Sequence, residues 1–263
     1  MKIKFTLLLL LLMIISATAA AEIKEVRFLC DNKEHFPVYL EDSDLINWNK
    51  PGAGVECVKR LESKLGIKVK IERAPWKRVL DAELKNGTID GAFSASYKKE
   101  REMLGAYPMK DGKVDKTRSL HTNAYCFYKR KDANFSWNGK TVSHLKGMVG
   151  APNGYSVIDD LKNLGLAVEE SNGTLIDLKK LAAGRVGAIA ALELTADLLL
   201  KKYPELNKVI VKVPTPIASK EYYVMLSNQF VKSNPALAEK IWNAVGEMRE
   251  HEFPKLVEDK YLP

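Results

Sequence analysis

Residues 75–108 read PWKRVLDAELKNGTIDGAFSASYKKEREMLGAYP. Trp76, Val79, Leu80 and Leu84 recur at the spacing of one helix face, and Asn86-Gly87 stops that helix. Ile89 to Ser94 follows as a short strand, closing on two hydroxyls, Ser94 and Ser96, with Arg101 five residues on. Just upstream, Ile67 to Ile71 (IKVKI) alternates apolar and basic residues, as a half-buried strand does. Strand, helix, strand in so few residues is a βαβ unit, which calls for a largely parallel sheet.

The same rhythm extends in both directions. Upstream, Glu25 to Leu29 reads as a strand, Phe36 to Tyr39 as an aromatic loop, and Val55, Val58, Leu61 and Leu65 as a helix ended by Gly66. After Tyr125 it restarts. Strands are expected at Met148 to Ala151, Val168 to Glu170 and Val186 to Ala191, and helices at Val157 to Leu164, Leu175 to Ala183 and Leu194 to Lys202. Arg118 to Asn123 is a candidate hinge strand between the two halves. Val209 to Val213 is a further strand, broken by Pro214-Thr215-Pro216; strand character resumes at Tyr222 to Leu226. The last helix opens at Asn234-Pro235, where proline's missing N–H costs nothing. Two α/β units in series with no low-complexity linker predict two lobes, and a cleft between lobes is where small ligands bind.

The first residues carry another signal. Lys2 and Lys4 precede an unbroken apolar run from Leu7 to Ile15, and the small residues of SATAAA follow at 16–21. That is the build of a secretory leader, cut after Ala19 or Ala21. The apolar run falls short of the roughly 20 residues that span a bilayer. The mature chain is therefore expected to be soluble and exported. Lys2 and Lys4 contribute two units of the formal net charge of +8, leaving +6 on the rest of the chain. Those charges alternate with acids, as in Lys98-Lys99-Glu100-Arg101-Glu102, rather than forming the stripe a nucleic acid needs.

Enzyme patterns are missing from the sequence. The four histidines, His35, His121, His144 and His251, fit neither a metal motif nor a catalytic triad. No cofactor is expected. Of the three cysteines, Cys30 and Cys57 are the favoured disulfide pair; three buried thiols are the alternative.

The ordered set Pro75-Trp76-Lys77-Arg78, Asn86-Gly87, Asp90-Gly91, Ser94-Ala95-Ser96, Arg101 and Tyr107-Pro108 resembles the family 3 extracellular solute-binding proteins. Further pieces are Gly150 to Ser156, Leu181 to Val186 and Ser233-Asn234-Pro235. The resemblance implies a type II periplasmic-binding-protein-like α/β fold. Each lobe is then a mainly parallel sheet flanked by helices, and two strands form the hinge. Residues 22–121 with 219–263 make lobe I, and 122–218 make lobe II. It also implies a monomer that performs no chemistry and delivers a small polar solute, an amino acid or related compound, to an ABC permease. A sensory module acting in trans and a dehydratase-like enzyme are the rival readings. The enzyme would need an acid or base, for which Glu193, Asp31 and Lys98 are the candidates.

The expected ligand contacts follow. Arg101 offers a planar fork for a carboxylate. Ser94 and Ser96 add hydroxyl and backbone donors at a strand's carboxyl end. Phe36, Tyr39 and Trp76 make an apolar wall against the ligand's carbon skeleton, or cover its cationic group. From the second lobe come Tyr155 and Ser156 at a helix start, where Ser156 serves as an anion contact or as an N-cap. One departure stands out. The amino-acid binders commonly carry acids near the second-lobe strand, where this chain has Gly187 and Leu192. Glu193 is the candidate substitute. Without a counter-ion, burying an ammonium costs several kcal/mol, so the ligand need not be an α-amino acid.

Overall fold

The structure, a computed structural model, describes residues 25–261. The leader expected at residues 1–21 lies outside the described residues. Eight strands form one continuous sheet: β1 (Glu25–Asp31), β2 (Lys68–Ala74), β3 (Gly91–Ser96), β4 (His121–Arg130), β5 (Val149–Pro152), β6 (Val168–Ser171), β7 (Ala188–Leu192) and β8 (Ile210–Leu226). Their order across the sheet is β6-β5-β7-β4-β8-β3-β1-β2. At one end β1 pairs parallel with β2 and β3; at the other β5 pairs parallel with β6 and β7. The long strands β4 and β8 run antiparallel between the two ends and join them.

Helices cover the sheet because their apolar faces need burial. Helix α1 (Ala53–Leu65) buries Val55, Val58 and Leu61, and Gly66 ends it in the left-handed conformation at φ 69°. The residues from Trp76 form a single α turn, Trp76–Arg78, widening into a π-helix, Val79–Leu84 (together α2). Helices α3 (Val157–Asn163), α4 (Thr174–Ala182) and α5 (Glu193–Lys202) flank the other end. A long closing helix, Pro235–Leu256, packs on α1 and starts at the Asn234-Pro235 pair expected from sequence. One apolar core lies between α1, the closing helix and β1–β3, around Phe28, Leu61, Phe93 and Trp242. A second lies between α4, α5 and β7, around Tyr128, Leu178, Ile189 and Leu199.

Three expectations are corrected. Pro214 and Pro216 do not break the strand: β8 runs through them for 17 residues. The register shifts on both sides of Pro216, and the exposed prolines sit in these irregularities, where their missing N–H breaks no regular ladder. The Pro216 carbonyl meanwhile accepts from the Trp137 indole at 3.2 Å. The hinge strand starts at His121, not Arg118, because Lys116–Arg118 is a 3₁₀ turn capped by the Asp115 carboxylate. Cys30 and Cys57 are not bridged. All three cysteines are free and buried, and the Cys30 thiol points to the Glu72 carbonyl on β2, 3.9 Å away. Among the described residues no cluster suits a metal ion, and no helix is long and apolar enough to cross a membrane.

Asp177 on α4 is a local conflict in this fold. It is 1% exposed, and among the described residues neither carboxylate oxygen has a hydrogen bond of good geometry. Burial pushes its pKa up from 3.8 to about 7, against the pull of the nearby Ser171 hydroxyl and Lys180 ammonium. A raised carboxyl pKa adds stability below its unfolded value and loses it as pH climbs through the folded one. Asp177→Asn is therefore expected to stabilise the protein at pH 8 by on the order of 1–4 kcal/mol and to change little at pH 4. Urea unfolding midpoints at the two pH values measure this; equal effects at both would refute it.

Candidate functional site

The sheet's switch in direction between β3 and β8 builds the first wall. The pairing skips a residue there, since Phe93 faces Val224 and Ala95 faces Tyr223. The extra residue is Ser94, held at φ 64°, a left-handed conformation uncommon for a side-chain-bearing residue. The bulge turns its hydroxyl toward two imidazoles, 3.2 Å from His35 Nδ1 and 2.9 Å from His121 Nε2. Burial holds both histidines below their ordinary pKa, His121 at about 3, so both are neutral. Two residues on, β3 ends at Ser96. A short 3₁₀ turn, Lys99–Met103, then folds Arg101 back over that end. Arg101 Nη1 donates to the Ser96 carbonyl at 2.9 Å and to its hydroxyl at 3.1 Å. Tyr107 donates to the same carbonyl at 2.9 Å.

The second wall is the turn between β5 and α3. Arg101 Nη2 reaches across to the Gly154 carbonyl at 3.1 Å. Tyr155 donates its phenol proton to Asp31 Oδ2, at the end of β1, at 3.0 Å. Burial raises the Asp31 carboxyl to about 6, while hydrogen bonds from Tyr155 and the Lys33 amide hold it down. Ser156 does not cap α3 with its side chain; its hydroxyl accepts from Lys220 at 3.3 Å. Lys220 also pairs with Asp160, and Lys98 pairs with Asp159 at the rim.

Tyr39, Trp76, Ser94, Ser96, Arg101, Tyr155 and Ser156 line one cavity between these walls. It holds about 250 Å³ of atom-free space, its open mouth included, with room for about one water molecule. Trp76 faces it, while Arg78 points to solvent and pairs with Glu83 at 2.8 Å.

Two expected contacts lie elsewhere. Phe36 packs with Ala53 and Tyr261 beneath its loop. The Glu193 carboxylate is held at 2.8 Å by Lys212, which also pairs with Asp197, so it does not replace the missing acid. Gly187 is glycine for packing reasons: a Cβ there would lie 2.0 Å from the Lys146 carbonyl oxygen. Leu192, by contrast, lines the cavity itself. Sequence reasoning did not find His35, Tyr125, Leu192 or Tyr222 in the lining. Tyr125 and Tyr222 sit on the two long strands, where aromatic residues read as core. His35 comes from the loop after β1 and meets Tyr222 edge-on, a contact between distant segments that no spacing in the sequence shows.

Known structures share this architecture. An ancestral arginine-binding protein bound to arginine superposes with a TM-score of 0.70, at 20% identity, covering 91% of this chain and 99% of that one. A putative binding component of an ABC transporter from Wolinella succinogenes, complexed with lysine, gives 0.69 at 10% identity, covering 91% and 97%. The GluR0 ligand-binding core from Nostoc punctiforme, in complex with L-glutamate, gives 0.68 at 14% identity, covering 90% and 100%. Identities this low show the two-lobed type II binding-protein fold and nothing finer. No curated protein matches the chain. Residues 41–263 match the family described as bacterial extracellular solute-binding proteins, family 3, and the chain belongs to that family.

Proposed function

We propose that this protein is a periplasmic receptor that closes its lobes around a small carboxylate-bearing solute, an amino acid or related compound, for an ABC-type permease. The lobes are residues 22–121 with 219–263, and residues 122–218. One observation carries the reading. Arg101, 7% exposed, spans the two walls with its donors on neutral oxygens of Ser96 and Gly154. A buried guanidinium on carbonyls is a ready partner for an anion. Arginine, lysine and glutamate, the ligands named for the similar structures, all carry an α-carboxylate, which supports the same chemistry. The leader-like start at residues 2–21 supports export.

A solute of any size enters only with the walls apart. Opening must break the Tyr155–Asp31 and Arg101–Gly154 hydrogen bonds and the Lys98–Asp159 pair. Solute contacts to both walls then favour closure.

Two outcomes test this reading. In a thermal-shift screen of amino acids, organic acids and amines, carboxylates should raise the melting temperature and amines lacking one should not. Arg101→Ala should weaken binding of the best carboxylate by about 30- to 100-fold, as expected for a charge-assisted pair. Unchanged affinity would remove Arg101 from the site. Tyr155→Phe removes a hydrogen bond that favours the charged form of Asp31, so the Asp31 pKa should rise above about 6. Carboxyl ¹³C shifts followed through a pH titration report it, and a fall would refute the contact.

A further inference from the structure

Tyr222 lines the cavity and is 4% exposed. Among the described residues its buried phenol oxygen makes no hydrogen bond of good geometry; the Tyr125 hydroxyl is its near polar neighbour, set at an angle that leaves the Tyr222 oxygen unsatisfied. Buried hydroxyls are nearly always paired, so one left unpaired toward a binding cavity calls for a partner supplied by the ligand. The ring is not free to swing away. It stacks on His121 at 4.8 Å, 5° from parallel, and Phe253 stacks on that imidazole's other face at 5.5 Å. His35 meets Tyr222 edge-on at 5.3 Å. Burial keeps the phenol protonated, its pKa well above the ordinary value, so at neutral pH it is an O–H donor.

The charge inventory of the lining narrows what the donor reads. Arg101 is the single residue of the lining with a formal charge, since both imidazoles lining or backing the cavity are neutral, and none of the lining residues is a carboxylate. Leu192 adds an apolar side chain to the lining. Asp31, just behind the lining, has its Oδ2 occupied by Tyr155. An ammonium group has three donors and no acceptor. Here it would face phenols, serines and a leucine without a counter-charge.

Resting on the carboxylate reading above, we infer that Tyr222 donates to an uncharged oxygen of the solute, and that the solute is a hydroxy- or oxo-carboxylate rather than an α-amino acid. Arg101 takes the carboxylate, and the hydroxyl or carbonyl oxygen completes Tyr222 at the cavity floor.

Matched carboxylates test this by calorimetric titration: lactate, alanine and propionate; malate, aspartate and succinate; phenyllactate, phenylalanine and 3-phenylpropionate. In the series that binds, the hydroxy acid should bind about tenfold or more tighter than the acid lacking the oxygen. Tyr222→Phe keeps the ring stack. It should erase about a tenfold advantage for the hydroxy acid while leaving the deoxy acid within about twofold. Equal losses for both, or none, would overturn the role of Tyr222. An amino acid binding tightest, with that binding lost in Asp31→Asn, would place an ammonium on Asp31 and overturn the inference while Arg101 keeps its role. If none of these carboxylates binds, the carboxylate reading falls and takes this inference with it.

Discussion

A buried positive charge that no acid neutralises is the constraint around which the cavity is arranged. Among the described residues Arg101 has no carboxylate partner; it rests on the Ser96 carbonyl and hydroxyl and the Gly154 carbonyl. Carbonyl dipoles lower the cost of burying a guanidinium without cancelling its charge. Arg73, 8% exposed, makes an instructive contrast. It gives its donors to the carbonyls of Asp31, Lys33, Leu40 and Glu41, at 2.7 to 3.4 Å, and lies 5.6 Å over the Tyr39 ring. Those four bonds pin the loop after β1 and thereby set Tyr39 and His35. One arginine is spent inside its own wall, and the other reaches across the gap.

Much of the architecture is legible from periodicity alone. Val55, Val58 and Leu61 mark α1, and Gly66 ends it, because the left-handed cap at φ 69° suits glycine. The site is legible where a motif runs along one segment, as from Ser94 to Arg101. It becomes illegible where partners come from distant segments. Tyr125 and Tyr222 belong to β4 and β8, and only strand pairing shows that they share a cavity with residues of β3 and the loop after β1.

Loops give even less away. Phe36 and Tyr39 lie three residues apart in a stretch without periodicity, and nothing in their identities says which ring faces the cleft. Glu193 fails for a different reason: its fate is decided by Lys212, 19 residues on, whose ammonium claims both Glu193 and Asp197. The proline pair at 214 and 216 misleads because sequence shows the lost donor but not the irregular register that absorbs it.

The rung where Tyr222 pairs with His121 belongs at once to the long strand pair and to the cavity. Since β4 and β8 lie within one unbroken sheet, the two halves cannot slide past each other without tearing ladder hydrogen bonds. They can only flex, as a leaf spring does. Under the proposed function, whatever presses on that rung from the cavity acts directly on the spring, so that recognition and bending would share the same few atoms.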